Sequence, residues 1–158
     1  MFKKFLAPVL AGTLAAVSLA ACGSGGSTSS SGSVTIGYMA NLTGAAGGEY
    51  GVPFQRGFKQ GLAEVKSSGY LKGGTTIKVE TTDVASEVPN AVTAFNKFAQ
   101  AGVPITISDS LSPIGLAVAP LANSKKVVLI SGAGSTLPNT AGYAFHLVDL
   151  VTPMQTLG

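Results

Sequence analysis

Charge is scarce in this chain: only 11% of its 158 residues are Asp, Glu, Lys or Arg, and the formal net charge is +3. There is no Trp, one Cys (Cys22) and one His (His146). A single Cys excludes an internal disulfide, and one Cys with one His excludes the usual zinc sets, so no metal and no cofactor is expected. The sequence pI near 9.1 invites a nucleic-acid reading. Two of the ten basic residues, Lys3 and Lys4, lie in the first 21 positions, and without them eight bases face seven acids, a net +1. A near-neutral domain is no nucleic-acid binder. At 46% hydrophobic the chain is also too apolar to be disordered, and its 21 Gly and 8 Pro announce many turns and loops.

What is present divides the chain in three. Residues 1–21 combine a short basic start with an apolar run that contains Pro8 and Gly12. That run stops short of the ~20 apolar residues a spanning helix needs, so an export signal is the stronger reading than a permanent membrane span. It ends in Leu19-Ala20-Ala21-Cys22, which resembles a bacterial lipobox. On that resemblance Cys22 is the lipidation site and mature N-terminus, carrying a diacylglyceryl group and palmitate-type acyl chains. The other reading is ordinary cleavage with Cys22 a bystander. Residues 23–33 contain only Gly, Ser, Thr and no acid, so 22–33 is read as an anchor and flexible tether reaching on the order of 20 Å. The expected location is the extracytoplasmic or periplasmic face of the cell envelope, held to the membrane by lipid.

From Val34 to Gly158 strand and helix signals alternate. A buried strand is expected at 34–39. A helix follows with Phe54, Phe58, Leu62 and Val65 on one face, on which Gly57 and Gly61 would allow close packing against a sheet. Ile77 and Val79 alternate with Lys78 and Glu80 in a second strand near an edge. Ser86 is placed to cap a helix carrying Val92, Phe95 and Ala99, which ends at Gly102 before Pro104. A third strand is expected at 105–108. Ser112-Pro113 reads as an N-cap and N1 pair opening the next helix, and 127–131 and 143–148 are the fourth and fifth strands. Thr152-Pro153 starts a further helix. The pattern is that of an α/β, doubly wound parallel sheet, in which ligands sit beyond the carboxyl ends of the strands. Three loops qualify, 40–51, 109–112 and 132–139, all rich in Gly, Ser and Thr.

These loops hold no convincing enzyme machinery. There is no G-x-S-x-G elbow and no phosphate-binding G-x-x-x-x-G-K-[ST] loop, and Gly132-Ala-Gly134 lacks the third glycine of a dinucleotide fingerprint. No catalytic residue is expected. His146 lies in a strand, where a hydrogen-bonded structural role is the plainer reading. Asp83, Asp109 and Asp149 fall near strand ends and read as turn or helix caps. Binding is easier to argue. Ser112 heads a helix whose N–H groups and dipole favour an anion, Ser135 offers a second hydroxyl, the Ala133 carbonyl can accept from an ammonium, and the Tyr50 ring can lie against an aliphatic ligand. The competing reading, with Ser112 only a cap and the Gly/Ser loop only a turn, stays open at this point.

The run VTIG at 34–37, Leu42-Thr43-Gly44, Tyr50-Gly51, Gly57, the Gly73-Gly74 turn, Asp83, the helix start at Pro89 and VVLISGAGS at 127–135 resemble, in that order, the N-terminal lobe of type I periplasmic substrate-binding proteins of the branched-chain amino acid ABC transporter class. The resemblance implies a two-lobed clamp that traps a small solute, an amino acid or similar polar molecule, and hands it to ABC permease subunits. It implies that Ser112 binds the ligand α-carboxylate, that Ala133 and Ser135 serve its carboxylate and ammonium, and that Tyr50 is a side-chain contact. Two departures stand out. His146 occupies a fifth-strand position where many relatives carry Arg, and an inward-pointing Asp109 would favour a cationic ligand or one without a carboxylate. Residues 34–158 are thus expected to form the first lobe, short of the second, and the lobe alone is expected to bind weakly and to associate. A ligand-sensing module of the same fold, signalling to a receptor without transport, is the alternative, and an enzyme a more distant one.

Overall fold

The computed structural model describes residues 32–134, 137 and 142–147. The signal, Cys22, most of the tether, Ser135, Asp149 and the helix expected at Thr152 lie outside these residues. Among the described residues no helix is long and apolar enough to cross a membrane.

Five strands form one parallel sheet: β1 (Ser33–Ala40), β2 (Thr76–Asp83), β3 (Ile105–Ser108), β4 (Val128–Ser131) and β5 (Ala144–His146), in the spatial order β2-β1-β3-β4-β5. Three helices connect them: α1 (Val52–Ser67), α2 (Val88–Gln100) and α3 (Ser112–Lys125). The doubly wound parallel sheet expected from the alternating pattern is therefore present, with β2 at an edge as its polar alternation suggested. Strand order reverses at β1, since the chain runs outward one way to β2 and then back across β1 to β3. Loops at the carboxyl ends of β1 and β3 consequently diverge and leave a crevice between them.

Side chains alternate across the sheet. From β1, Met39 joins the core under α2 and α3, which is filled by Phe95, Phe98, Ile114, Val118 and Leu129. Tyr38 and Ala40 face the other way, beneath Phe54 and Phe58 of α1, whose rings lie 6.2 and 5.1 Å from that of Tyr38. The i, i+4 spacing of the two half-buried Phe residues thus marks the face that α1 turns to the sheet. Beyond α1 the same sheet face continues as an apolar groove of about 420 Å³, where Ile107, Ile130 and Leu147 meet the flank of Phe54 and Phe58.

Three local readings need correction. A Cβ built on Gly57 or Gly61 meets nothing within 4 Å, so neither glycine serves close packing on the sheet. Ser86 does not cap α2, whose N-cap is Glu87. Its hydroxyl accepts the Ala46 N–H at 3.1 Å and donates to the Thr43 carbonyl at 3.1 Å, tying the loop after β1 to the turn after β2. Ser112 is the first residue of α3 and Leu111 the N-cap, so Pro113 stands one place further into the helix than the N1 expected for it. The Gly102 stop after α2 is as expected, with φ +73° beyond the C-cap Ala101.

Candidate functional site

The loop leaving β1 is built first, by hydrogen bonds from a neighbour. Asp83, the last residue of β2, accepts the N–H groups of Leu42 at 3.1 Å, Thr43 at 3.3 Å and Ala85 at 2.9 Å, and the Thr43 hydroxyl at 2.7 Å. Burial, the largest single influence, pushes its pKa up, but the Thr43 hydroxyl and the three N–H donors together outweigh it and hold the carboxyl below its ordinary value. This is the turn-capping role expected for Asp83. The loop then enters a π-turn, Gly47–Gly51, that leads into α1. Gly51 makes the turn possible: a Cβ there would stand 1.7 Å from the Asn41 carbonyl oxygen. Tyr50, immediately before it, is 48% exposed. The neighbouring Glu49, through its carboxylate's hydrogen-bonding and charge, raises the pKa of the Tyr50 phenol.

The loop after β3 is set by Asp109, which is 1% exposed. Its carboxylate accepts the Asn41 N–H at 2.7 Å and the Asn41 side-chain amide. Burial pushes its pKa up, while the Asn41 donors pull the other way. Asp109 is turned into the protein to join β3 to β1, so the reasoning that an inward Asp109 selects a cationic ligand does not apply. The next residues, Ser110 to Pro113, run along the crevice and start α3.

The loop after β4 is held by Ser131, whose hydroxyl accepts from Ser108 Oγ at 2.9 Å and from the Ala133 N–H at 3.2 Å. Further along, the Leu137 N–H donates to His146 Nε2 at 2.6 Å. His146 is a structural tie, as its strand position suggested.

Between these loops lies a cleft of about 540 Å³. Tyr50 forms one wall, Ser110, Leu111, Ser112 and Pro113 a second, and Gly132 with Gly134 the third. Tyr50 and Ser112, chosen from the sequence, thus share one cavity. Ala133 is fully buried between the two lining glycines, its side chain in the core. Ser110, Leu111, Pro113, Gly132 and Gly134 were missed. A signal existed for them, because they flank the chosen residues in loops already marked as ligand loops. Among the described residues no lining side chain is ionised, and no group of three His, Cys, Asp or Glu could hold a metal.

The start of α3 is less rich in donors than a generic helix N-terminus. Pro113 has no N–H, and the N–H groups of Ile114 and Gly115 both donate to the Leu111 carbonyl at 3.1 Å. The helix dipole remains, and the polar chemistry of this end concentrates on Ser112. Such a cleft can hold a small, mostly apolar solute with one anionic or polar end. Among its described lining residues no nucleophile is paired with a base.

The periplasmic binding protein family model matches residues 33–156. No curated protein is significantly similar to the chain. Among solved structures, the branched-chain amino acid transporter substrate-binding protein of Streptococcus pneumoniae, in complex with isoleucine, is 22% identical with a TM-score of 0.64, over 72% of this chain and 33% of that one. A solute-binding protein of an ABC transporter from Rhodopseudomonas palustris, in complex with 3,4-dihydroxybenzoic acid, is 23% identical with a TM-score of 0.59, over 72% and 31%. A leucine-binding protein from Thermotoga maritima is 23% identical with a TM-score of 0.58, over 72% and 32%. The chain spans about a third of the length of these solved relatives. With the parallel sheet, its order and the crevice beside β1 all in place, the chain belongs to the periplasmic binding protein family.

Proposed function

We propose that this chain is the first lobe of an extracytoplasmic solute-binding lipoprotein that delivers an amino acid or a similar small carboxylate to an ABC importer. The observation that carries this reading is the cleft itself, which gathers Tyr50, Ser112 and the Gly132–Gly134 turn at the carboxyl edge of the sheet, with no ionised side chain among its described lining residues. Relatives that bind isoleucine and 3,4-dihydroxybenzoic acid support a solute with an apolar body and one carboxylate. In this reading Ser112 meets the carboxylate beside the α3 dipole, the backbone at Ala133 and the Ser135 hydroxyl serve the other polar groups, and Tyr50 covers the apolar part. ABC permease subunits are the partners, and a lipid on Cys22 holds the protein to the membrane.

Ligand-observed saturation-transfer NMR on the full chain tests this, because it detects the weak binding expected of a single lobe. Isoleucine, leucine and hydroxybenzoates at millimolar concentration receive saturation, and glucose does not. Absence of transfer to every carboxylate tested would refute the reading. The anchor is tested separately: Cys22→Ala, expressed with its signal, moves the protein from the membrane to the soluble fraction, and an unchanged membrane fraction removes the lipid.

A further inference from the structure

Four buried side-chain polar atoms have no hydrogen-bond partner in the protein among the described residues: Tyr38 Oη, Asn41 Oδ1, Ser110 Oγ and His146 Nδ1. Only Ser110 belongs to a residue that lines the cleft. Among the described residues, the Ser108 hydroxyl behind it is engaged with Ser131. A buried unpaired hydroxyl is costly, and the cost is relieved by whatever gives the hydroxyl a partner.

We propose that Ser110 is a specificity-determining residue of the cleft, whose hydroxyl pairs with a hydrogen-bonding group on the body of the solute and so favours hydroxyl-bearing solutes over their aliphatic isosteres. The inference rests on the solute-binding reading of the cleft and adds a substrate class to it. The Ser110 backbone is fixed on both sides. Asp109 before it is clasped by Asn41, and Gly132 leaves so little room that a Cβ there would stand 3.3 Å from the Ser110 nitrogen. The side chain is left to respond, since rotation about its Cα–Cβ bond moves Oγ among staggered wells, and the residue already lines the cleft. Ser112, two residues on, starts α3 and lies at its positive end, so a solute whose carboxylate is drawn there presents its body to Ser110 and Tyr50. A solute with a hydroxyl at that place completes the pair. An aliphatic one leaves Ser110 unmatched, as any site built around a polar group rejects the analogue that lacks it.

The test uses the full chain and two isosteric pairs, threonine against valine and 4-hydroxybenzoate against 4-methylbenzoate, with affinities from saturation-transfer titrations. The wild type binds the hydroxyl member of at least one pair about three- to tenfold more tightly, as expected for one net neutral hydrogen bond. Ser110→Ala abolishes the preference and leaves the melting temperature unchanged or higher, since the hydroxyl it removes has no partner among the described residues, and Ser110→Thr keeps the preference. Equal binding within both pairs, or a preference that survives Ser110→Ala, overturns the inference while leaving the solute-binding reading intact. Absence of binding by all four probes overturns both.

Discussion

Asn41 and Asp109 stand 68 residues apart in sequence, yet the Asn41 N–H donates to Asp109 Oδ2 at 2.7 Å and its side-chain amide donates to the other carboxylate oxygen. The pair joins the carboxyl ends of β1 and β3 at the point where the strand order reverses, directly behind the cleft wall that Ser110 begins.

Removing the acceptor leaves two buried donors of Asn41 without a partner. Asp109→Ala therefore lowers the unfolding free energy by about 2–4 kcal/mol at pH 7, measured by urea denaturation. Asp109→Asn keeps one acceptor and loses less. A cost within 0.5 kcal/mol for the alanine variant would show that the clasp does not hold the two strands.

Asp83 and Asp109 respond to pH with opposite sign. The lowered carboxyl of Asp83 contributes stability that is present above the ordinary Asp pKa of about 3.9 and is lost as pH falls through its folded value. Asp109 is raised by burial, so in the window above about 3.9 the folded state holds its proton more often than the unfolded chain, and this group's contribution declines as pH rises through its folded value. Stability profiles of Asp83→Asn and Asp109→Asn against pH hence diverge from the wild type in opposite directions. Parallel profiles would contradict the environments described for the two carboxyls.

Two glycines separate cleanly by what surrounds them. Gly61→Ala adds a methyl where nothing lies within 4 Å and should raise stability by about 0.5–1 kcal/mol through helix propensity. Gly51→Ala drives a Cβ into the Asn41 carbonyl and should lower stability by about 2 kcal/mol or more while displacing Tyr50. Thermal melts of the two variants moving in the same direction would contradict this.

Ser112→Ala should weaken carboxylate binding by about 1–3 kcal/mol, the loss of one charge-assisted hydrogen bond, read by the same NMR titration. An unchanged affinity removes Ser112 from the site.

Legibility in the sequence followed the range of the physics involved. Strands and helices were readable because Phe54 and Phe58, or Ile77 and Val79, repeat with the period of the element they build. Ser86 and Ser112 were misplaced by a residue or assigned the wrong partner because a Ser before a helix looks the same whether its hydroxyl faces its own helix or a loop 43 residues earlier. Gly57 and Gly61 were read as packing devices, but whether a glycine faces a sheet or solvent depends on the azimuth of α1, which no local pattern states. The cleft was half legible. Tyr50 and Ser112 were found through loop chemistry and a family resemblance, whereas the use of Asp109 was set by Asn41, a contact between distant segments.

The interior place of β1, second in the order β2-β1-β3-β4-β5, has a consequence for how the chain is assembled. Its neighbours, Thr76–Asp83 and Ile105–Ser108, both come later in sequence, so a chain emerging from its N-terminus presents Tyr38, Met39 and Ala40 long before either flank exists. Pairing between distant segments closes slowly, and an unpaired apolar strand is open to wrong partners during that wait. A strand flanked on both sides in the finished sheet is thus unflanked in the nascent chain, and a holding chaperone would find a target there.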